Sequence, residues 1–574
     1  YKIKSVMQAE TKNCQNCKTD FTIEPEDFVF YEKIKVPPPT FCPACRLARR
    51  LAWMKGFRLY KRPCDFCKNE TISMYPPEVP YTVHCVHCWW SDDWDPEAYA
   101  KEYDFSRPFF EQMNEFLHTV PIMAQAISKT CSTQSPYTNH CDNAKNCYLI
   151  FYSDYCEDTQ YGFYLTRDKS LLDSSIVFEC EECYDSMHGY RNHRVHGSRG
   201  NVTNSIGCYF LKDSKNATYC FGSANLRNAK YVFLNEQLTK EDYEKRIAGI
   251  DLGSYKTYQE MERRAHEAWA KTVPQPHYNE FSHNSSGNYV FESRNCRECY
   301  DVVSCEDSKY LMLIKVGKVK DSYDYVDWGE NAERIYESIT VGGGVADIRF
   351  SQDIHGGHHI DYSKSCMNSS YLFGCSGLRN KQYCIFNKQY SKEDFGVMRE
   401  RIIRHMAEMP YKDKVGATYQ YGEFFPSELS PHDYNDTFAY MFQALSKDEI
   451  NARGLGWADD AKIAYHITKD HSELPDNIKD ADDSVLKNVI QCASCPRGYR
   501  ITPQELQFLR HHGLPLPRRC PFCRIEDKVR IWVSQMNLGE RNCDKCGALF
   551  RTNYIRKEDT PILYCKECYQ QEVA

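Results

Sequence analysis

Sixteen cysteines of this 574-residue chain fall into eight Cys-x-x-Cys pairs, four at each end, and that spacing restricts what either end can become. The first group is Cys14/Cys17, Cys42/Cys45, Cys64/Cys67 and Cys85/Cys88. The second is Cys492/Cys495, Cys520/Cys523, Cys543/Cys546 and Cys565/Cys568. Corresponding pairs are offset by 478, 478, 479 and 480 residues, so two one-residue insertions relate the whole pattern. The residues between the cysteines match as well. Ile23, Pro25, Phe30, Pro37, Pro39, Pro43 and Arg46 recur as Ile501, Pro503, Phe508, Pro515, Pro517, Pro521 and Arg524. The two ends are copies of one module.

Pairs at this spacing form metal knuckles more often than disulfides. Zinc takes four thiolates in a tetrahedron, and a closed four-cysteine shell leaves no position for a substrate, so the expected cofactor is four structural zinc ions. Sequential pairing is expected, first pair with second and third with fourth; a cross-braced pairing is the alternative. The long gap from Cys17 to Cys42 is filled by a short helix opening at Pro25, where proline suits the first helical position.

Cys-x-x-Cys, then Phe21-Thr-Ile-x-Pro, a Phe/Tyr-rich helix, Pro-x-Pro and Cys42-Pro-Ala-Cys45-Arg resemble the "probable zinc-ribbon" family with a treble-clef arrangement. The resemblance implies that the second pair opens a helix, here Arg46–Lys55. The whole chain also resembles a family of cysteine-rich zinc-ribbon proteins of uncultured bacteria, through Trp89-Trp-Ser-Asp-Asp-Trp-Asp-Pro, Tyr421-Gly-Glu-Phe-Phe-Pro and Leu474-Pro-Asp-Asn-Ile-Lys-Asp. That family brings no activity with it.

The middle is duplicated too. Phe221-Gly-Ser-Ala-Asn-Leu-Arg-Asn aligns with Phe373-Gly-Cys-Ser-Gly-Leu-Arg-Asn at an offset of 152. The match runs into Thr239-Lys-Glu-Asp and Ser391-Lys-Glu-Asp, which read as capped helix starts. Cys180-Glu-Glu-Cys-Tyr-Asp aligns with Cys296-Arg-Glu-Cys-Tyr-Asp at an offset of 116, which gives the second copy 36 extra residues, near Leu313–Arg349. Short β-type runs such as Cys147-Tyr-Leu-Ile-Phe-Tyr alternate with Asn, Asp, Ser and Gly turns every ~20 residues, the texture of β-solenoid rungs. A sandwich of short strands is the alternative. The fourteen central cysteines read as small core residues, with Cys180/Cys183 and Cys296/Cys299 as possible extra metal pairs.

The expected class is therefore mainly β with short helices: two terminal four-cysteine zinc-ribbon/treble-clef double modules flanking a duplicated β-solenoid-like body. The boundaries are a zinc module over 1–95, a connector over 96–135, solenoid copy 1 over 136–246 and a helical connector over 247–284. Solenoid copy 2 with its insertion covers 285–406, a wrapping segment 407–490 and the second zinc module 491–574.

Charge is uneven. Residues 1–90 and 491–574 each carry a formal +5, which leaves −17 for the middle of a chain of net charge −7. Basic metal modules suggest RNA or DNA at the ends. Each zinc centre with four thiolates carries −2, however, which brings each module down to about +1. The best nucleic-acid patch is Arg46, Arg49, Arg50, Arg58, Lys61 and Arg62, with Arg518, Arg519 and Arg524 as its counterpart.

No phosphate loop, G-x-S-x-G elbow or H-E-x-x-H motif is present. Val341-Gly-Gly-Gly-Val reads as a turn. The candidate catalytic residues are His355, His358, His359 and Asp361, near Asp347 and Asp353, and in the first copy His188, His193 and His196. Close histidines can bind a metal or shuttle protons. The alternative is polar residues in solenoid turns.

With a mean hydropathy of −0.65 and apolar runs no longer than a strand, no membrane partner is expected. Zinc thiolates suit a reducing compartment, and Tyr1-Lys-Ile-Lys shows no secretory signal, so a cytoplasmic location is expected. The primary functional expectation is a non-catalytic zinc protein binding RNA or a ribonucleoprotein such as the ribosome. The alternatives are a structural or assembly protein, with a protein partner or a homo-oligomer, and a metal-dependent enzyme using the histidines.

Overall fold

A computed structural model describes residues 8–128, 132–459 and 466–573. Tyr1-Lys-Ile-Lys and Cys131 lie outside the described residues, as does a short piece of the wrapping segment. Strand accounts for 31% and helix for 26%, in agreement with a mainly β class. The chain divides into two compact units, each built from two distant segments. Unit 1 is Tyr1–Ala124 with Tyr278–Ala458; unit 2 is Gln125–His277 with Asp459–Ala574. Each unit thus joins one terminal cysteine module to one central copy, the N-terminal module to the second copy and the C-terminal module to the first.

In unit 2 the central copy is a stack of short parallel strands. Ile150 pairs with Thr138 on one side and Gly162 on the other, Leu165 with Val177, and Ser175 with Met187. Each step is 12 residues, widening once to 13 at Gly189↔Val202. The expected spacing of about twenty residues is therefore corrected to twelve. Beneath it runs a period of three. Every third residue from His140 to Arg194 has a positive φ, which gives each 12-residue layer four corners. The residue after each corner points inward and is buried: Cys141, Ala144, Cys147, Ile150, Ser153 and so on to Val195.

That arrangement explains the composition. Left-handed backbone is unfavourable for L-residues, and Asn and Asp tolerate it best, which accounts for corners such as Asn143, Asn146 and Asp158. The narrow interior takes small residues. A buried serine here can both donate and accept: Ser153 donates to the Phe151 carbonyl at 2.8 Å and accepts from the Leu165 amide at 3.1 Å, one layer on. Cysteine fills the same role, with Cys141 and Cys147 each donating to the carbonyl two residues back at 3.3 Å. A thiol or hydroxyl at these positions satisfies backbone groups that no water reaches. None of the described cysteines is in a disulfide.

Unit 1 holds the second stack, an 11-stranded sheet. Its steps are 12 at Tyr300↔Met312 and at Leu372↔Cys384. The inserted residues add layers to the same ladder, Tyr323–Gly329 and Ala332–Arg349, where the steps widen to 14 at Leu311↔Tyr325 and 13 at Tyr325↔Ser338. The glycines 342–344 do not form a turn. They lie inside Ala332–Arg349 at a register shift between Gly342 and Val345. A Cβ on Gly342 would stand 2.1 Å from the Gly329 carbonyl oxygen, so no side chain fits there.

The terminal module of unit 1 packs on its stack through aromatic residues. Phe30 stacks on Tyr323 with ring centroids 3.9 Å apart, and Phe109 of the helix Phe109–Thr119 meets Tyr362 at 5.1 Å and Phe373 at 5.5 Å. Phe424 and Phe425, from the wrapping segment, close over Trp53. In unit 2, Trp532 of Pro521–Met536 meets Phe163 of the stack, and Tyr258 of Tyr255–Ala270 meets Phe210.

Candidate metal centres

Each Cys-x-x-Cys sits in one of two local settings. The first pair of a centre lies in a tight turn after a short strand, as Cys14 does after Glu10–Asn13, and the following residue Lys18 takes φ 62°. Lys68 and Gly547 repeat this at φ 66° and 76°. The second pair opens a helix. Cys42, Cys85, Cys520 and Cys565 are the N-caps of Pro43–Leu51, Val86–Trp90, Pro521–Met536 and Lys566–Glu572. The helix expected at Arg46–Lys55 thus begins and ends earlier, at Pro43 and Leu51.

The four tetrads assemble by sequential pairing: Cys14/17/42/45, Cys64/67/85/88, Cys492/495/520/523 and Cys543/546/565/568. Sγ–Sγ separations are 3.7 Å for Cys17–Cys42, 4.0 Å for Cys67–Cys85, 3.8 Å for Cys495–Cys520 and 3.8 Å for Cys546–Cys565. A tetrahedron with metal–sulfur bonds of ~2.3 Å has edges of ~3.8 Å. Backbone amides also point at the sulfurs: Cys42 N donates to Cys14 Sγ at 3.3 Å, and Cys85, Cys520 and Cys565 repeat this at 3.2 Å. The neighbouring thiol of Cys45 holds Cys42 down to about 5, and Cys523 does the same to Cys520. Four converging thiols that are not oxidised to disulfides, with donors aimed at them, suit a bound metal ion.

The helix that each centre opens carries the basic residues inward. Arg46, Arg49 and Arg50 are 1%, 3% and 0% exposed. Arg46 Nη2 lies 2.9 Å from Asp324, and Arg50 Nη2 is 3.0 Å from the other oxygen of that carboxylate. Arg49 bonds Glu337 at 2.6 Å and Glu423 at 3.0 Å. Three arginines meet three carboxylates, all buried in unit 1. Unit 2 repeats the scheme: Arg524 pairs with Asp173 and with Glu505, the latter at 3.1 Å, and Lys528 pairs with Asp185 at 2.5 Å. Arg524 and Lys528 stand 478 residues after Arg46 and Arg50.

The other basic candidates are engaged as well. Arg62 bonds Asp65 at 3.0 Å, and Arg541 repeats the pair with Asp544 at 3.0 Å. Arg58 lies 3.9 Å from Asp436. Arg518 bonds the Leu474 and Pro475 carbonyls, and Arg519 pairs with Asp527. Among the nine basic candidates Lys61 is the most open, with its side chain 59% exposed and 3.2 Å from Glu70. The expected basic patch is therefore corrected: its core is an internal ion-pair network. Sequence reading missed the acidic partners Asp324, Glu337, Glu423, Asp173 and Asp185. Asp65 and Asp544 were legible, since they share the 479-residue offset of their cysteines.

The histidine candidates do not assemble into a three-ligand group. Asp361 is held by Arg349 and Arg399. His359 lies 3.7 Å from Asp347 and stacks on Tyr371, His358 meets the edge of Tyr371, and His355 packs on Trp328. In unit 2, His193 lies 3.5 Å from Glu181, His188 is buried, and His196 is buried against Tyr209. Among the described residues, metal-ligating side chains converge in the four tetrads and in one further group, Glu182 with His511 and His512. None of the described helices is long and apolar enough to cross a membrane. No protein-family model matches the chain, and no curated protein matches it.

Proposed function

We propose that this protein is a non-catalytic, zinc-held scaffold: treble-clef modules, each folded around two zinc ions, clamp β-solenoids whose outer walls form the working surface. The observation that carries this reading is the burial of Arg46, Arg49 and Arg50 against Asp324, Glu337 and Glu423. The side of the helix best suited to hold nucleic acid is turned inward and neutralised within unit 1. Of the functional expectations, this favours the structural one over RNA binding.

The metal follows from the donor set. Four thiolates at tetrahedral edge lengths suit one ion per tetrad, and zinc holds such a shell without redox chemistry. Free thiols throughout the described residues fit a reducing compartment such as the cytoplasm. The solenoid walls offer regular ladders to a protein partner or to another copy of the chain. Asn284, Asn295 and Asp307 are joined in sequence at 2.9 and 2.8 Å, and Asn216 bonds Asn228 at 2.8 Å.

The test is metal analysis of the intact protein together with limited proteolysis before and after chelation. The scaffold reading expects four zinc per chain, and cleavage of the modules and then of the solenoids once zinc is removed. Titration with RNA at low salt completes the test. A tight, steeply salt-dependent affinity would overturn the reading in favour of nucleic acid.

A further inference from the structure

Glu182, His511 and His512 place three ligand atoms within 4.8 Å of one another in unit 2. Glu182 is a corner residue of the stack, at φ 51°. The two histidines end the helix Pro503–His512 of the terminal module. His512 is seated between Phe508, at 4.4 Å between ring centroids, and the buried His196, at 5.0 Å. Arg194 bonds Oε2 of Glu182 and leaves Oε1 uncommitted to that contact.

The internal duplication shows what this junction does elsewhere. At an offset of 478, His511 and His512 correspond to Lys33 and Ile34. In unit 1, Lys33 Nζ bonds Asp321 of the stack directly at 2.6 Å. Module and stack are there joined by a cation and an anion. In unit 2 the position of the lysine is taken by histidine, a second histidine stands beside it, and the stack presents a different carboxylate, Glu182.

We infer that Glu182, His511 and His512 form a fifth metal site of a different kind, binding a divalent transition ion of the zinc, cobalt or nickel class across the junction of module and stack. Two imidazoles and one carboxylate are the donors that such ions take, and three protein ligands leave positions open to water, unlike the closed four-cysteine shells. Ligand edges around an ion at ~2.1 Å are ~3.4 Å, so the exposed His511 swings inward by about an ångström on binding. The Arg194 guanidinium, beside Glu182, opposes the incoming charge. The site does not depend on the scaffold reading.

The experiment uses full-length protein whose four cysteine tetrads are already filled with zinc, titrated with cobalt(II) and followed by calorimetry and visible absorption. One further equivalent is expected, without a thiolate charge-transfer band. His512→Ala and Glu182→Gln should each weaken it by about tenfold or more, and Arg194→Ala, which removes a cation beside the site, should tighten it. Metal analysis confirms that each variant keeps four zinc; should His512→Ala lose them, the near-isosteric Glu182→Gln decides. No fifth equivalent in the wild type, equal binding in Glu182→Gln, or weaker binding in Arg194→Ala would each overturn the assignment.

Discussion

Arg50 and Asp324, 274 residues apart in the chain, meet at 3.0 Å with both side chains fully buried. Asp324 is the nearest carboxylate to Arg50 and holds Arg46 as well, at 2.9 Å. Removing one partner of a buried pair strands the other, at a cost of about 3–5 kcal/mol. Arg50→Ala leaves Asp324 paired with Arg46, so it should destabilise unit 1 by the lower end of that range, about 3 kcal/mol. Asp324→Asn should cost more, because it strands Arg46 as well. Denaturant unfolding read through fluorescence measures both, and a change below about 1 kcal/mol in Arg50→Ala would contradict the network.

Ser351 donates to the Arg349 carbonyl at 2.8 Å and accepts from the Ser363 amide at 3.1 Å, wholly out of water. Ser351→Ala leaves that amide unpaired and should cost about 1–3 kcal/mol. Ser351→Cys should be milder, since cysteine occupies equivalent interior positions such as Cys366 and Cys375. Thermal unfolding of the two variants gives the ranking; equal losses would refute this account of the interior.

Asn143 is exposed, yet its φ is 53°. Asn143→Val removes no buried contact but places a β-branched residue in left-handed backbone, and should cost about 1–2 kcal/mol. Asn143→Gly should be nearly neutral. A stability unchanged by valine would show that the corner is not left-handed.

Burial, with the Lys566 cation nearby, holds His277 down to about 4. Its unfolded value is about 6.5, so the unfolded chain takes up the proton first and stability falls as pH drops from about 6.5 toward 4. The contribution is complete above about pH 6.5. His277→Gln should flatten this part of the acid decline by about 2 kcal/mol. Urea midpoints at about pH 7 and pH 4.5 for both proteins measure it; parallel shifts would rule out a role for His277.

Local spacing was legible in the sequence. The sequential tetrads, the helix at Pro25 and the capped starts at Thr239 and Ser391 all stand where the pattern put them. The structure of the stack was less so. Its 12-residue step is built from four three-residue sides, and interior positions alternate among Cys, Ser, Ala, Val, Leu and Ile, so no single residue type marks the period. The every-third-residue run Cys141, Ala144, Cys147, Ile150, Ser153, Cys156 was the available signal. The partners of the arginines were beyond reach for another reason. Glu337 lies 288 residues from Arg49, and neither residue shows in its own neighbourhood what it will meet.

Each unit joins segments far apart in the chain, and this sets an order on events at the ribosome. At about 5–20 residues per second, the stretch from Arg46 to Glu337 takes roughly 15 to 60 s to emerge. The cysteines of the first module, by contrast, are all out within its own short span. Metal capture can therefore fix the Pro43–Leu51 helix early, with its three arginines still in water. The nascent module waits as a finished key for an acidic lock that is synthesised hundreds of residues later.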